Sequence, residues 1–325
     1  MAFLSWRGGW FAVLSVGLMA CFSWGGARCA AAGVQDSADW QELLQQAQAW
    51  DKDASDETRQ TFLKNFKTCF SQDITPDDIR LAEEIGNQLV AAGDRSTAAQ
   101  TLELAGELAS QSTDKKIARY AKVFTGSARR VRLVGNEMKL DGTYLDGTKF
   151  DWAPYQGKVV IVEFWATWCK PCILVDLPKI QEEYRLYHDK GLEVIGVCLD
   201  FEADAAKKFL KEKEVPWPQI YESIEQRTSN DFTVSGYYGV NSIPCKVLIG
   251  KDGKVLAVNP KDLPKELEKL LGPVTGRKPW MTPEEESQML LRAYGLIPSG
   301  EPSKDEASDP KDKAAEDKAE DDKND

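Results

Sequence analysis

The sequence predicts an α/β domain, built from a βαβ unit followed by a ββα unit and preceded by a separate all-α domain. From Trp40 to about Val131, apolar residues recur three and four positions apart, which is the spacing of amphipathic helices. From Leu133 onward, short apolar runs alternate with turn signals, which is typical of strands. The change of pattern marks a domain boundary near residues 131–135.

Four or five helices are predicted in the first domain. Their apolar sets include Leu43, Leu44 and Ala47; Phe62, Phe66 and Phe70; and Ile79, Ala82 and Ile85. The segment Thr75-Pro76-Asp77-Asp78 is a helix start signal. Thr can cap free backbone N–H groups, Pro is tolerated at the first helical position, and acids favour the positive end of the helix.

The second domain is predicted from buried strands separated by helices. The strands are Lys158 to Phe164, Leu192 to Leu199, Lys246 to Ile249 and Val255 to Val258; the helices run from about Cys169 to His188, Ala203 to Lys213 and Leu263 to Leu271. Only Glu163 interrupts the first apolar run, as in a strand covered on both faces. Asp141-Gly142 and Asp146-Gly147 are tight-turn signals ahead of it.

The chain therefore divides into five segments. They are a targeting segment at 1–32, the helical domain at 33–132, the α/β domain at 133–273, a C-terminal helical extension at 274–300 and a tail at 301–325. Thr282-Pro283-Glu284-Glu285 opens the helix of the extension. The tail has eleven acidic residues, five Lys and no large apolar residue. We expect it to be disordered, because it cannot offset its ordering entropy.

Residues 1–32 have the pattern of an export signal: Arg7, an apolar run from Trp10 to Trp24, and then small residues. That run is short for a membrane span, which needs about 20 residues. Ala30-Ala31-Ala32 fits a signal peptidase site, whereas Leu18-Met19-Ala20-Cys21 resembles a lipobox, and an uncleaved anchor is a third alternative. All three predict a periplasmic or envelope-anchored protein.

Five cysteines would remain after cleavage at Ala32: Cys69, Cys169, Cys172, Cys198 and Cys245. Only one pair of cysteines in this set is closely spaced in the sequence. An odd, scattered set is not the framework of a small disulfide-rich fold. The sequence also shows no basic stripe or zinc-finger spacing, which argues against a nucleic-acid partner.

The pair lies in Trp168-Cys169-Lys170-Pro171-Cys172, where a predicted strand runs into a helix. Cysteines three apart on the first helical turn can form a disulfide, and the helix N-terminus stabilises a thiolate. We expect Cys169 to be the exposed nucleophile and Cys172 the buried resolving thiol. Pro171 restricts the loop, and the positive charge of Lys170 favours the thiolate and a more oxidising couple.

A static disulfide and a metal site are the alternatives for this pair. A metal site is disfavoured because the sequence offers no second ligand pair, and its single histidine, His188, lies at the far end of the helix. We expect His188 to be a surface residue. The predicted chemistry needs no cofactor beyond the disulfide itself.

The run from Val159 to Cys172, VVIVEFWATWCKPC, closely resembles the active-site strand of thioredoxin-like proteins of the TlpA/ResA group, which are periplasmic or envelope-anchored disulfide reductases. Further similar segments are Val194-Ile195-Gly196-Val197 with Asp200, Val215-Pro216-Trp217-Pro218-Gln219, and Tyr238-Gly239-Val240-Asn241-Ser242-Ile243-Pro244. The resemblance covers about residues 133–272. It implies a thioredoxin-like fold with an N-terminal β-hairpin extension around Asp146-Gly147.

The resemblance also implies site roles. Glu163 matches the family's buried carboxylate, which could take the proton of Cys172; a carboxylate facing water is the alternative. Pro244 matches a cis-proline beside Cys169 that leaves the backbone of Ile243 free to pair with substrate; a structural turn proline is the alternative. Trp168 would join Lys170 and Pro171 in a docking surface, or else be a core tryptophan.

Two positions depart from the family pattern. Pro178 lies six residues after Cys172 where five are usual, and a π-bulge in the helix would absorb the extra residue. Cys245 stands where Thr is common, and we interpret it, with Cys198 and Cys69, as a small core residue rather than a third redox thiol.

These features predict an exported enzyme, a thiol-disulfide oxidoreductase that exchanges disulfides with protein partners and an unidentified redox partner. The resemblance favours a reductase. A helical binding or scaffolding module with a docking thioredoxin-like domain is one alternative, and a thiol peroxidase is another.

Overall fold

The computed structural model describes residues 37–71, 73–229 and 232–297. The expectations for the targeting segment, including Cys21 and Ala30 to Ala32, and for the tail at 301–325 lie outside the described residues. Within the described ranges, no helix has the length and apolar character required to cross a membrane.

Within the described residues, five helices precede the strands: α1 (Ser37–Gln48), α2 (Asp56–Cys69), α3 (Pro76–Ala92), α4 (Arg95–Ser110) and α5 (Lys115–Val131). Their apolar faces enclose a core of their own, in which Phe66 stacks on Phe70 and Trp40 contacts both rings. Thr75 caps α3 as predicted, since its hydroxyl accepts the N–H of Asp78 while the Asp78 carboxylate accepts the N–H of Thr75.

A mixed five-stranded sheet follows. Its strands are β1 (Val159–Trp165), β2 (Leu192–Cys198), β3 (Gln219–Tyr221), β4 (Cys245–Ile249) and β5 (Val255–Val258). The strand order is β3-β2-β1-β4-β5, with β1 parallel to β2, β2 parallel to β3, and β4 antiparallel to both β1 and β5. The central strand β1 is buried along its whole length, as its apolar run predicts.

In the described residues, the other α-helices lie between the strands or after β5. They are α6 (Leu177–Tyr187), α7 (Ala203–Glu212), α8 (Ile224–Thr228), α9 (Val234–Tyr237), α10 (Leu263–Leu271) and α11 (Pro283–Ala293). Every predicted strand and helix is present, which confirms the predicted fold class. The short elements β3, α8 and α9 were not predicted, because three to five residues give too little periodicity to detect.

The N-terminal extension consists of isolated bridges. Thr143 pairs with Lys149 across the Asp146-Gly147 turn, and Tyr144 pairs with Ile220 of β3. The turn is therefore attached to the edge of the sheet at β3. This arrangement matches the expected hairpin in position, although its pairing is shorter than a regular hairpin ladder.

Helix α5 contacts the α/β region at the segment that follows α9. A Cβ atom on Gly126 would lie 2.3 Å from the backbone nitrogen of Gly239, so the two backbones approach too closely for a side chain. Arg130 donates from Nη1 to the carbonyl oxygens of Tyr238 and Gly239, at 2.6 and 2.5 Å. Helix α5 therefore holds the segment that leads to Pro244.

Candidate active site

The two cysteines of the motif form a disulfide at the junction of β1 and the next helix. The Cys169–Cys172 bond is 2.05 Å long, and the two Cα atoms are 5.2 Å apart. The backbone N–H of Cys172 points at Sγ of Cys169, with the nitrogen 3.2 Å from the sulfur. An N–H group at the start of a helix stabilises negative charge, so this contact favours a thiolate at Cys169 in the reduced pair.

The helix that carries the pair contains a π-helical turn near its start. This turn spans Cys172–Asp176, and regular α-helix continues from Leu177 with Pro178 in its first turn. The structure thus confirms that a π-bulge absorbs the one extra residue between Cys172 and Pro178.

The expectation that Cys169 is exposed is wrong for the disulfide form. Cys169 is only 5% exposed and Cys172 only 2%. Both belong to a buried cluster with Trp165, and Ile243 packs against the same cluster. The bond to Cys172 and this apolar packing cover the sulfur, and the exposed member of the motif is Trp168, at 50%.

Glu163 is a buried carboxyl on β1, the strand that leads to the pair. It is 4% exposed, which excludes the alternative of a water-facing carboxylate. Side chains alternate along a strand, so Glu163 shares a sheet face with Ile161 and Trp165, the face on which the redox cysteines lie. Its Oε1 accepts a hydrogen bond from Nε1 of Trp217 at 2.8 Å. Burial raises the pKa of Glu163 to about 8, against the lowering effect of this bond.

An ion pair between Lys246 and Asp176 lies close to this carboxyl. Lys246 is paired with Glu163 across β1 and β4, and Asp176 ends the π-turn. The charge of Asp176 raises the pKa of Glu163 and that of Lys246 lowers it. Sequence reasoning did not assign Trp217 or Lys246 to the site, although Trp217 lies in a segment of family resemblance.

The loop before β4 supplies the other predicted residues. The Ile243–Pro244 peptide bond is cis, and Ile243 packs against the cysteine cluster. Lys170 and Pro171 are half-buried in the first turn of the redox helix. Cys245, like Cys198 and Cys69, is a buried thiol, as predicted for small core residues.

Trp168 has an aromatic neighbour that sequence reasoning missed. Its ring stacks with that of Phe201 at a centroid distance of 5.9 Å and an interplanar angle of 23°. Trp168 is 50% exposed and Phe201 is 57% exposed, so the two rings form an exposed aromatic pair. The alternative that Trp168 is a core tryptophan is therefore wrong. The only signal in the sequence that could have indicated Phe201 was its position directly after Asp200, which lies in a segment that resembles the family.

His188 lies away from the pair, at the C-terminal end of α6. Its ring stacks on Tyr184 at 4.5 Å, and its Nδ1 lies 3.3 Å from the carbonyl oxygen of Leu192. In the part of the chain that the structure describes, no cluster of three or more His, Cys, Asp or Glu residues could hold a metal ion.

Comparisons with known proteins agree with this geometry. The Redoxin family model matches residues 126–271. A thiol-disulfide oxidoreductase ResA of Bacillus cereus is 37% identical over 114 residues, which are 35% of this chain and 61% of that protein. ResA of Bacillus thuringiensis subsp. konkukian is 33% identical over 134 residues, which are 41% of this chain and 73% of that protein.

Among solved structures, the thioredoxin domain of a thiol-disulfide oxidoreductase from Bacteroides vulgatus is 26% identical, with a TM-score of 0.38. That match covers 42% of this chain and 97% of the domain.

The chain spans about three fifths to three quarters of the length of the two ResA relatives, and the family model leaves α1–α4 unmatched. The chain belongs to the ResA-like group of thioredoxin-fold thiol-disulfide oxidoreductases.

Proposed function

We propose that this chain is an exported thiol-disulfide oxidoreductase that exchanges disulfides with protein partners through Cys169 and Cys172. The observation that carries the proposal is the disulfide at the start of a helix, with the N–H of Cys172 directed at Sγ of Cys169. A static disulfide would need neither that contact nor a buried carboxyl on the strand that leads to it.

In the reduced chain, the Cys169 thiolate attacks one sulfur of a partner disulfide. An S–S bond forms between Cys169 and the partner, and the partner's first thiolate leaves. Cys172 then attacks Sγ of Cys169 as a thiolate, which restores the Cys169–Cys172 disulfide and releases the partner's second thiolate. Two electrons pass to the partner, whose two sulfurs take up two protons.

Glu163 is the proposed proton carrier for Cys172. With a pKa near 8, its acid and carboxylate forms coexist close to neutral pH. The carboxylate can accept the proton of the Cys172 thiol as it attacks, and the acid can return it in the reverse direction. A buried group with this pKa serves both directions of exchange, whereas a water-facing carboxylate would be ionised throughout.

The surface around the pair is the proposed partner-binding site. Trp168, Lys170 and Pro171 border the pair on the helix side, while Ile243 and Pro244 contribute the opposite loop. The backbone of Ile243 would pair with an extended partner segment, so that the partner's cysteine reaches Cys169.

We favour reduction as the physiological direction, on the strength of family membership. Lys170 favours the opposite direction, oxidation of the partner's thiols, because a positive charge beside Cys169 stabilises the reduced pair and makes the couple more oxidising. Equilibration of the pair with glutathione buffers measures its reduction potential and decides between the two. A potential near −270 mV, the value for thioredoxin, is expected for a reductase, and one near −120 mV would identify an oxidant.

Export rests on the apolar run from Trp10 to Trp24 and the small residues at Ala30 to Ala32. N-terminal sequencing of the mature protein from cell-envelope and soluble fractions tests it. A chain that begins at Gly33 supports cleavage, and a lipidated Cys21 supports a lipoprotein. An unprocessed chain in the cytoplasmic fraction would contradict export.

Reduction of insulin disulfides by the full chain, with dithiothreitol as electron source, tests the activity. Cys169→Ser is expected to abolish turnover, and Cys172→Ser to trap a mixed disulfide with insulin. Cys198→Ser is the matched control, because it removes a buried thiol that is not in the pair. A biological role that stays intact in the double variant Cys169→Ser, Cys172→Ser would instead favour a binding module.

A further inference from the structure

Trp168 and Phe201 form an exposed aromatic pair next to the redox disulfide. They are 50% and 57% exposed, with ring centroids 5.9 Å apart. Trp168 directly precedes Cys169, so the two Cα atoms are about 3.8 Å apart. Burial of a large apolar side chain usually stabilises the folded state, but these two side chains remain about half exposed and so contribute less of that stabilisation. Their position therefore points to a partner that covers them.

Polar contacts beneath the rings fix the two loops that carry them. Asp200, which precedes Phe201, is buried and accepts hydrogen bonds from the backbone N–H and the hydroxyl of Thr167, at 3.0 and 2.7 Å. On the far side, the hydroxyl of Tyr221 donates to the carbonyl oxygen of Phe201 at 3.1 Å. The aromatic pair is thus held in place from both of its loops, so that little ordering is needed when a partner binds.

We propose that the aromatic pair selects partners whose reactive cysteine has an apolar side chain within one or two residues. The proposal deepens the proposed function, because the mixed disulfide places the partner's cysteine on Cys169. An extended chain advances about 3.3 Å per residue, so residues adjacent to that cysteine lie over the rings. Aromatic rings offer a large apolar contact at low entropic cost, which makes the occupant an apolar side chain of an extended polypeptide.

Kinetics with two disulfide-linked peptides tests this selection. The peptides are identical except that Leu or Ser follows the cysteine, and bis(2-hydroxyethyl) disulfide serves as a small disulfide without a peptide or an aromatic group. For the parent chain, kcat/KM is expected to be about tenfold higher for the Leu peptide than for the Ser peptide, the order of discrimination that one apolar contact supplies. Phe201→Ala is expected to remove most of that preference and to change the rate with the small disulfide less than about twofold.

Two further variants separate docking from general effects. Phe201→Leu keeps an apolar side chain and is expected to retain most of the preference. Tyr294→Ala removes an aromatic residue of similar exposure from the end of α11 and is expected to change neither rate.

The outcomes separate the docking proposal from the proposed function. Equal rates for the two peptides, or a Phe201→Ala loss that is the same for all three disulfides, would overturn the docking proposal while leaving the oxidoreductase activity intact. A parent chain that reduces none of the three disulfides would overturn both. Sedimentation velocity adds one more outcome: self-association of the parent that Phe201→Ala abolishes would assign the rings to a second copy of this chain instead.

Discussion

Trp217 donates its indole N–H to Oε1 of Glu163 at 2.8 Å, inside the core of the α/β region. A single hydrogen bond to a buried carboxylate does not compensate for the loss of water around it. The pKa of Glu163 therefore rises to about 8, while the Trp217 bond keeps it from rising further. The same two residues therefore bear on the pH dependence of stability and on the proposed exchange chemistry.

The first prediction concerns the pH dependence of unfolding. Glu163 keeps its proton in the folded chain up to about pH 8, whereas an unfolded Glu loses it near pH 4.5. The folded state thus binds more protons between these values, so the stability that Glu163 contributes is complete below about pH 4.5 and is lost as the pH rises through 8. One pKa unit corresponds to about 1.4 kcal/mol, so the change amounts to about 3–5 kcal/mol.

Urea unfolding of the oxidised parent and of Glu163→Gln, at about pH 5 and about pH 9, measures this effect. Gln does not ionise, and the other titratable groups are shared, so the difference between the two chains isolates Glu163. We expect Glu163→Gln to gain stability relative to the parent at the higher pH. A difference that is the same at both values would mean that Glu163 does not titrate in this window.

The second prediction is that Cys169 is the thiol that reacts with alkylating agents. Exposure does not distinguish the two sulfurs in the disulfide form, since both are buried. The N–H of Cys172 does, because it stabilises a thiolate on Cys169 alone. Mass mapping after limiting iodoacetamide on the reduced chain is expected to find Cys169 labelled first, with buried Cys69 and Cys198 as internal controls. Preferential labelling of Cys172 would reverse the assignment of nucleophile and resolving thiol.

Local patterns in the sequence were sufficient to predict the sheet strands of four residues or more and the location of the redox pair. The run from Val159 to Trp165 is recognisable because it is buried on both faces, and the turn into Cys169 because strand and helix patterns meet there. The π-turn at Cys172–Asp176 was predicted because Pro178 lies one residue further from Cys172 than is usual in the family that the sequence resembles. Each of these signals lies within about 20 consecutive residues.

Contacts between distant segments were not predictable from such patterns. Trp217 and Glu163 are 54 residues apart, and Arg130 is 108 residues from Tyr238. Nothing in the local sequence around Arg130 indicates that its guanidinium bonds a backbone rather than water, since both uses suit the end of a helix. The burial of Cys169 was missed for the same reason, because it depends on packing against Ile243 from another loop.

The third prediction is that Arg130 stabilises the segment before Pro244. Arg130→Met removes the donor to the carbonyl oxygens of Tyr238 and Gly239 and leaves them without that partner. We expect a loss of about 2–3 kcal/mol in the free energy of unfolding, the usual cost of unpaired, partly buried polar groups. Arg132→Met, two residues further on, breaks an exposed ion pair with Glu103 and is the matched control, with an expected loss below about 1 kcal/mol. Equal losses in the two variants would show that the Arg130 contacts contribute little.

The last prediction is that Glu163→Gln slows the closing step, in which Cys172 attacks the mixed disulfide, in a pH-dependent manner. Gln keeps the shape and the hydrogen-bonding capacity of the side chain but cannot accept a proton. Positioned bases contribute about 10²- to 10⁴-fold, and because a thiol is already partly ionised near neutrality we expect the low end, roughly tenfold to a hundredfold. The ratio of parent to variant rates should be greatest near pH 8. Below that pH the Glu163 carboxyl of the parent is itself protonated, and well above it Cys172 ionises without a base.

Stopped-flow tryptophan fluorescence, from about pH 6 to about pH 10, measures the rate of this step in both chains. Trp217→Phe is the control that keeps the carboxyl. It removes a hydrogen bond that lowers the pKa of Glu163, so this pKa is higher in the variant than in the parent. The ratio of the Trp217→Phe rate to the Glu163→Gln rate is therefore expected to peak at a higher pH than the ratio of the parent rate to the Glu163→Gln rate. A Glu163→Gln chain that is as fast as the parent near pH 8, or slowed by the same factor at every pH, would mean that Glu163 is a structural residue and that the proton of Cys172 leaves by another route.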